Sequence, residues 1–272
     1  MKLISWNVNG LRSAMNKGLL PWIQTARPDI LCLQEIKLSH DRVSLNAAFA
    51  QHFDESYCEC AHKPGYSGVA TLVKSNATSS KQVNCAISNL AVFTAEGRVL
   101  VTEHKGFLLY NLYFPSGTTG EARQSVKYTF LNHFLAHIDQ LSARNRNRLI
   151  VCGDFNICHR DIDIHHPREA ERRKLSGFLP EERAWMDEFA ARGFVDTFRA
   201  VHPHQAQSYS WWTYRAGARS KNLGWRIDYF FIAGKLLPKL RDAGIYSTVG
   251  GSDHCPIYIT LDANSSASKG RR

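Results

Sequence analysis

An α/β sandwich, with layered sheets and outer helices, is the fold class this sequence predicts. Three observations predict it: apolar runs of strand length recur along the chain, helix-patterned stretches return between some of them, and no linker divides the whole. At 272 residues the chain is long enough to bury one sizeable core.

The N-terminal "MKLISWNVNG" reads as a strand and lacks the long apolar region of a secretory signal. Strands follow at "DILCLQE" (29–35), "SGVATLVK" (67–74), "RVLVTEH" (98–104) and "GFLLYNLYFP" (106–115), all rich in Leu, Val, Tyr or Phe. The stretch 120–144 then places Val126, Phe130, Phe134, Ile138 and Leu141 at helical spacing. "RLIVCGDFN" (148–156) is the next strand. The segment "HHPREAERRKLSG" (165–177) has no apolar spacing and carries Arg168, Arg172, Arg173 and Lys174, so a solvated surface loop is expected there. A helix is expected over 179–193, with Pro180 and two glutamates at its start and Gly193 at its stop. "WRIDYFFIA" (225–233) and "PIYITLD" (256–262) complete the strands. One domain over 1–262 is expected, followed by a small, polar, basic and disordered tail at 263–272.

Composition narrows the class. Hydrophobic residues at 44% and charged residues at 21% suit a globular protein, and no run approaches the roughly 18 apolar residues of a membrane helix. Seven cysteines, an odd number with no Cys-x-x-Cys pair, argue against a zinc ribbon and fit reduced, intracellular thiols. A net charge of +10 favours polyanionic partners such as nucleic acid or an anionic membrane face.

The chemistry gathers at strand ends. "WNVNG", "LQEIK", "CGDFNI", "WRIDY" and "GSDHCP" each place Asp, Glu, Asn or His beside an apolar run. In open α/β sheets such positions meet at one edge, where ligands bind. Each residue alone suits a turn or a surface; together, like charges require a cation or a proton. Carboxylate and carboxamide oxygens suit Mg²⁺, with Mn²⁺ as a substitute, whereas zinc would want more His or Cys. Glu35 is the best first ligand, with Asn7 and Asp253 nearby. Asp154, Asn156, Asp228 and His254 are left for proton transfer and charge stabilisation. A basic protein with an oxygen-lined metal site reads as a metal-assisted phosphodiesterase.

Seven motifs, in order, carry a resemblance: "ISWNVNGLRS", "DILCLQEIK", "GYSGVA", "LYFPSG", "CGDFNI", "SWWTYRAGARSKNLGWRIDYF" and "GSDHCPI". From Lys2 to Leu261 the chain resembles the exonuclease III family of apurinic/apyrimidinic (AP) endonucleases, within the DNase I-like superfamily. The resemblance implies a four-layered α/β sandwich with two central mixed sheets flanked by helices. It makes Glu35 the principal metal ligand beside Asn7 and Asp253, and extends the metal set to Asp154, Asn156 and His254. Asp154 would activate the attacking water and Asn156 stabilise the charged phosphorus centre. Tyr113 would be an active-site phenol, and Asp228 would orient His254 toward a phosphate oxygen. Trp211, Trp225 and Ile227 would form a small apolar pocket, with Arg12, Lys37, Arg219 and Lys221 also on the DNA side. Two departures stand out: Ser116 replaces the Asn or Gln of several relatives, and the 165–177 loop is about two residues longer than in some.

The implied activity is Mg²⁺-dependent cleavage of DNA 5′ to abasic sites, with 3′-to-5′ exonuclease or 3′-repair action in the same site. A predominantly exonucleolytic enzyme is the alternative. Double-stranded DNA is the expected partner, with no membrane, for a monomer that is cytoplasmic in a bacterium or nuclear in a eukaryote. A phosphodiesterase for lipid, inositol or RNA fits the Trp-rich motif and the charge less well. A non-catalytic DNA-binding protein on this fold would have lost Glu35, Asp154 or His254.

Overall fold

Alternation along the strands builds the layers. The computed structural model of the protein describes residues 1–38, 42–83 and 91–262; the expected tail lies outside these. Twelve strands form among the described residues: β1 (Lys2–Asn7), β2 (Ile30–Gln34), β3 (Glu55–Glu59), β4 (Val69–Val73), β5 (Ser80–Gln82), β6 (Val99–His104), β7 (Phe107–Tyr113), β8 (Leu149–Asp154), β9 (Phe194–Asp196), β10 (Asp228–Ala233), β11 (Leu240–Ile245) and β12 (Ile257–Leu261). They make two six-stranded sheets, ordered β11-β12-β1-β2-β4-β3 and β5-β6-β7-β8-β10-β9. Both are mixed, because β1 runs parallel to β2 and β7 parallel to β8 while the other pairs are antiparallel. Side chains of a strand point alternately to its two faces. Leu3, Ile30 and Cys32 of one sheet therefore meet Leu109, Ile150, Cys152, Phe230 and Ile232 of the other in a shared core. Their neighbours Ile4, Leu31 and Leu33 face outward, onto the helices Leu11–Asn16 and Leu19–Ala26. On the far side, Val151, Tyr229 and Phe231 face Phe130, Phe134, Trp185 and Phe189. Helix, sheet, sheet, helix is the expected four-layer order.

The long helix is Glu121–Gln140, and the expected 120–144 stretch breaks at extended Leu141 before a short helix capped by Ser142. The second is Pro180–Ala191, ending just before Gly193 at φ +91°. The expectation for 165–177 needs correction. Pro167–Arg172 is a helix with Pro in its first turn, Ala170 is buried, and Leu175 packs, as Trp211 and Trp225 do, against the buried cluster of Cys158, Ile164, Ala170, Phe178 and Ile227. One helical turn and two apolar contacts are too few to show as periodicity, yet they pin this segment beside the strand ends.

A buried ion cluster fixes the approach to β10. Asp163 accepts from Arg226 Nε and Nη2 at 2.8 and 2.9 Å and from Arg199 Nε at 3.1 Å, while Arg226 Nη2 also reaches Asp196 at 2.8 Å. Burial pushes the Asp163 carboxyl up, but the two guanidinium groups outweigh it and hold it down to about 2. A carboxyl lowered in the folded state stabilises it above the unfolded value of 3.8, and that contribution, about 2 kcal/mol, is lost as pH falls through 2. Asp163→Asn should leave the buried Arg199 without a carboxylate and Arg226 with Asp196 alone, and cost roughly 3–5 kcal/mol in urea unfolding at pH 7. A loss under about 1 kcal/mol would show the cluster to be dispensable.

Candidate active site

The ends of β1, β2, β7 and β8 and the start of β10 open onto one edge. Register puts Asp154 beside Tyr113 on one side and Asp228 on the other, and Asn7 beside Gln34, the residue before Glu35. Gly153 makes this possible: a Cβ there would lie 1.8 Å from the Leu112 carbonyl oxygen, so no other residue fits between Cys152 and Asp154. Asn9, Glu35, Lys37 and Asn156 all have left-handed backbones, with φ between +46° and +53°. Such conformations cost side-chain-bearing residues about 1 kcal/mol or more and persist where surrounding bonds hold them. Here the Gly10 N–H donates to the Glu35 carbonyl at 2.8 Å, and the Asn156 N–H donates to Asp154 Oδ1 at 2.8 Å.

The five sequence motifs do converge. Asn7 Nδ2 donates to Glu35 Oε1 and to Asp154 Oδ2, both at 2.9 Å. Its oxygen accepts from the Asn9 N–H, so as oriented Asn7 spaces the two carboxylates rather than offering them a third oxygen. Asn156 Nδ2 donates to the Phe114 carbonyl and to Asp154 Oδ2. His254 Nδ1 pairs with Asp228 Oδ2 at 2.8 Å, and its Nε2 stands 3.8 Å from Asp154 Oδ2. Asp253 sits one shell out, held by Asn9 Nδ2 at 2.9 Å and the Trp211 indole N–H at 3.1 Å. Tyr113 lies under the Arg98 guanidinium, 4.4 Å from its ring, and Arg98 also donates to the Tyr113 carbonyl.

Burial and crowding set the charges. Burial first, then the Asp228 and Glu35 carboxylates, push Asp154 up to about 7 against the pull of His254. Burial disfavours the His254 cation, yet Asp228 and Asp154 outweigh it and hold the imidazolium up to about 10. Burial pushes Tyr113 well above its ordinary value, helped by Glu35, so its phenol stays protonated and able to donate. Burial raises Asp253 too, but His254, Asn9 and Trp211 bring it below the usual range.

Glu35, Asp154 and His254 each present a ligand atom within 4.8 Å of the others. The two carboxylates at that spacing fit a hard divalent cation, with the His254 imidazolium beside them. The cluster floors a cavity of about 670 Å³. One wall is apolar, made by Trp211, Trp225 and Ile227, with the two indoles edge-on at 6.0 Å. Ser116, Gln124, Lys174 and Ser176 also line the cavity.

The remaining predicted residues are placed less uniformly. Lys37 Nζ lies 3.1 Å from Glu35 Oε2 and also bonds Asn9. Arg12 is exposed on the helix that follows the β1 end, and Lys221 is exposed with its Nζ on the Ala216 carbonyl. Arg219 instead donates to the carbonyls of Ser247, Val249 and Ser252, clamping the loop that carries Asp253 and His254. Several contributors were not foreseen. Ser210 Oγ accepts the N–H groups of Ile227 and Asp228, both at 3.1 Å. Lys127, buried with Glu182, donates to the Asn156 carbonyl at 2.8 Å, and Glu182 accepts from the N–H groups of Gly177 and Leu179. A lysine inside a helix pattern gives no sign of this in sequence.

Comparison with known proteins agrees with the geometry. The profile of the endonuclease/exonuclease/phosphatase family matches residues 4–254. The chain belongs to that family. Kinship marks it as an enzyme of the nuclease and phosphatase kind. It is 40% identical over 262 residues to the zebrafish (Danio rerio) protein named DNA repair nuclease APEX1, covering 96% of this chain and 82% of that one. It is 38% identical to an exodeoxyribonuclease of Bacillus subtilis, covering 96% and 100%. Among solved structures, AP endonuclease LMAP from Leishmania major superposes with a TM-score of 0.80 at 30% identity, covering 96% of this chain and 87% of that one. A 3′ phosphatase from Neisseria bound to a product DNA hairpin gives 0.81 at 25% identity, covering 96% and 99%. The two mixed, helix-flanked sheets are the sandwich of these family members.

Proposed function

We propose that this family member is a Mg²⁺-dependent DNA repair phosphodiesterase that cleaves the backbone 5′ to abasic sites, with 3′-to-5′ exonuclease or 3′-phosphodiesterase action in the same site. One observation carries the reading: the Glu35–Asp154–His254 cluster lines the same cavity as two indoles and an isoleucine. Glu35, with the Asp154 carboxylate beside it, would hold the cation, and a bound Mg²⁺ would supply positive charge for a phosphoryl oxygen. Asp154, buried and oriented by the Asn7 amide and the Asn156 N–H, is suited to take a proton from an attacking water. His254 offers a fixed positive charge to a phosphate oxygen, while the Tyr113 phenol and the Asn156 amide flank the same space. The products would be a 3′-hydroxyl and a 5′ deoxyribose phosphate. Assaying an abasic duplex beside a nicked duplex, each with and without Mg²⁺, tests the proposal. Metal-independent cleavage, or none of either substrate, would reject it.

Substrate choice follows from the apolar wall. Unstacking a nucleotide costs least where no base is present, and a narrow pocket admits a bare deoxyribose more readily than a nucleoside. Trp225→Ala should therefore erode the preference for abasic over intact DNA by about tenfold, a larger change than its effect on the abasic rate. The ratio of kcat/KM values on the two duplexes checks this, with circular dichroism confirming the fold. Equal loss on both substrates would make Trp225 ordinary core.

A further inference from the structure

A second, much smaller cavity lies behind the catalytic edge. It measures about 10 Å³ and is lined by Arg226 and Asp228 together with Thr197, Phe230, Ile245 and Ile257. Arg226 is 1% exposed and Asp228 2%. Each has one buried polar atom, Arg226 Nη1 and Asp228 Oδ1, that finds no hydrogen-bond partner among the described residues. One is a donor and the other an acceptor, and they do not bond each other. The hydroxyls that also line it donate elsewhere: Thr197 to the Phe230 carbonyl at 2.9 Å, Tyr229 to the Ile157 and Arg226 carbonyls, and Tyr258 to Asp242. Leaving either orphan unserved costs on the order of 1–3 kcal/mol, more for charged groups. A space of this size is about what one water needs, and a buried water persists where two or more polar groups serve it.

We propose that one water fills this cavity, accepts from Arg226 Nη1 and donates to Asp228 Oδ1, which makes Arg226 a positioning residue for the Asp228–His254 pair. The Asp228 carboxylate then has both oxygens fixed. Oδ2 is held by His254 Nδ1 at 2.8 Å and Oδ1 by the water, while Ser210 holds the backbone beneath. With both oxygens tied, the carboxylate plane cannot rotate, and the imidazole it faces is aimed at the cavity. The guanidinium is itself immobile, because Asp163 and Asp196 occupy its Nε and Nη2. The ion cluster that stabilises the fold thus reaches the catalytic edge through one molecule of solvent.

The water is decided on the wild-type protein, by a crystal structure fine enough to place ordered solvent. The expected result is one full-occupancy water within hydrogen-bond distance of both atoms. A dry cavity, or a water touching only one of them, overturns the proposal. The kinetic part rests on the function proposed above and uses abasic duplex as substrate. Arg226→Met and Asp163→Asn both break the ion cluster, but only the first removes the donor to the water. At equal folded fraction, Arg226→Met should lower kcat about tenfold further than Asp163→Asn, with KM unchanged. Equal losses would overturn the positioning role. Should the wild type fail to cut abasic DNA, the functional reading falls while the crystallographic result still stands or falls alone.

Discussion

Replacing Glu35 with alanine is expected to lower turnover on abasic DNA by on the order of a thousandfold, about 4 kcal/mol of transition-state stabilisation. The magnitude follows from what the carboxylate does. Its Oε1 accepts from Asn7 and its Oε2 faces Lys37, so it is the group through which the β1 and β2 ends meet the cation-binding cluster. Without it, Asp154 is the one carboxylate left in the cluster, too little for tight binding of a hard cation. Affinity for DNA should change little, because phosphate contacts come chiefly from Arg and Lys. Titrating Mg²⁺ while measuring kcat, with duplex affinity followed by fluorescence anisotropy, separates the two effects. Normal turnover at limiting Mg²⁺ would show that Glu35 is no ligand.

Asp228→Asn should lower kcat by about a thousandfold while leaving the shape of the site intact. The sign of its pH effect can be worked out. Burial alone depresses the His254 cation; Asp228 supplies the largest opposing attraction, with Asp154 second. Neutralising Asp228 therefore brings the imidazole down from about 10, and the charge is lost at a lower pH. The alkaline limb of the rate profile should move toward acid. Asparagine also offers Nδ1 of His254 a less faithful partner, which adds misorientation to lost charge. Unchanged turnover with an unchanged profile would sink the pairing.

Sequence reading reached the central strands because their apolar runs are continuous. β2, β4, β8 and β10 are buried on both faces, so "ILCLQ" or "DYFFIA" needs no partner to be recognised. Edge or partly exposed strands escaped it. "ESYCE", "SKQ" and "LRDAGI" are mixed in polarity, and they form only because a neighbour already presents a ladder. At the site, Asp154, Asn156, Asp228 and His254 could be found because strand ends concentrate chemistry. Tyr113 looked like any strand aromatic until the family resemblance singled it out. Lys127, Glu182 and Arg98 stayed hidden for a different reason. Charged side chains are read as surface by default, and only tertiary partners reveal a buried one. Arg219, a cation expected at the DNA face, also has a role that sequence does not show, donating to carbonyls of its own chain.

The cysteines have a use beyond their packing. Six thiols fall among the described residues, and all are buried: Cys32 and Cys152 between the sheets, Cys58 and Cys60 on the outer face of one sheet, Cys158 beside Asp163, and Cys255, next to His254 in the chain, among Tyr209, Trp212 and Ala218. A buried thiol reacts with a water-soluble disulfide reagent only when its surroundings open, so each labelling rate is a local clock. The protein thus carries reporters distributed from its mid-plane to its catalytic edge. Mass spectrometry of partly labelled chains would rank them. Cys255 reacting well ahead of Cys152 would mean that the His254 loop breathes while the two sheets stay closed.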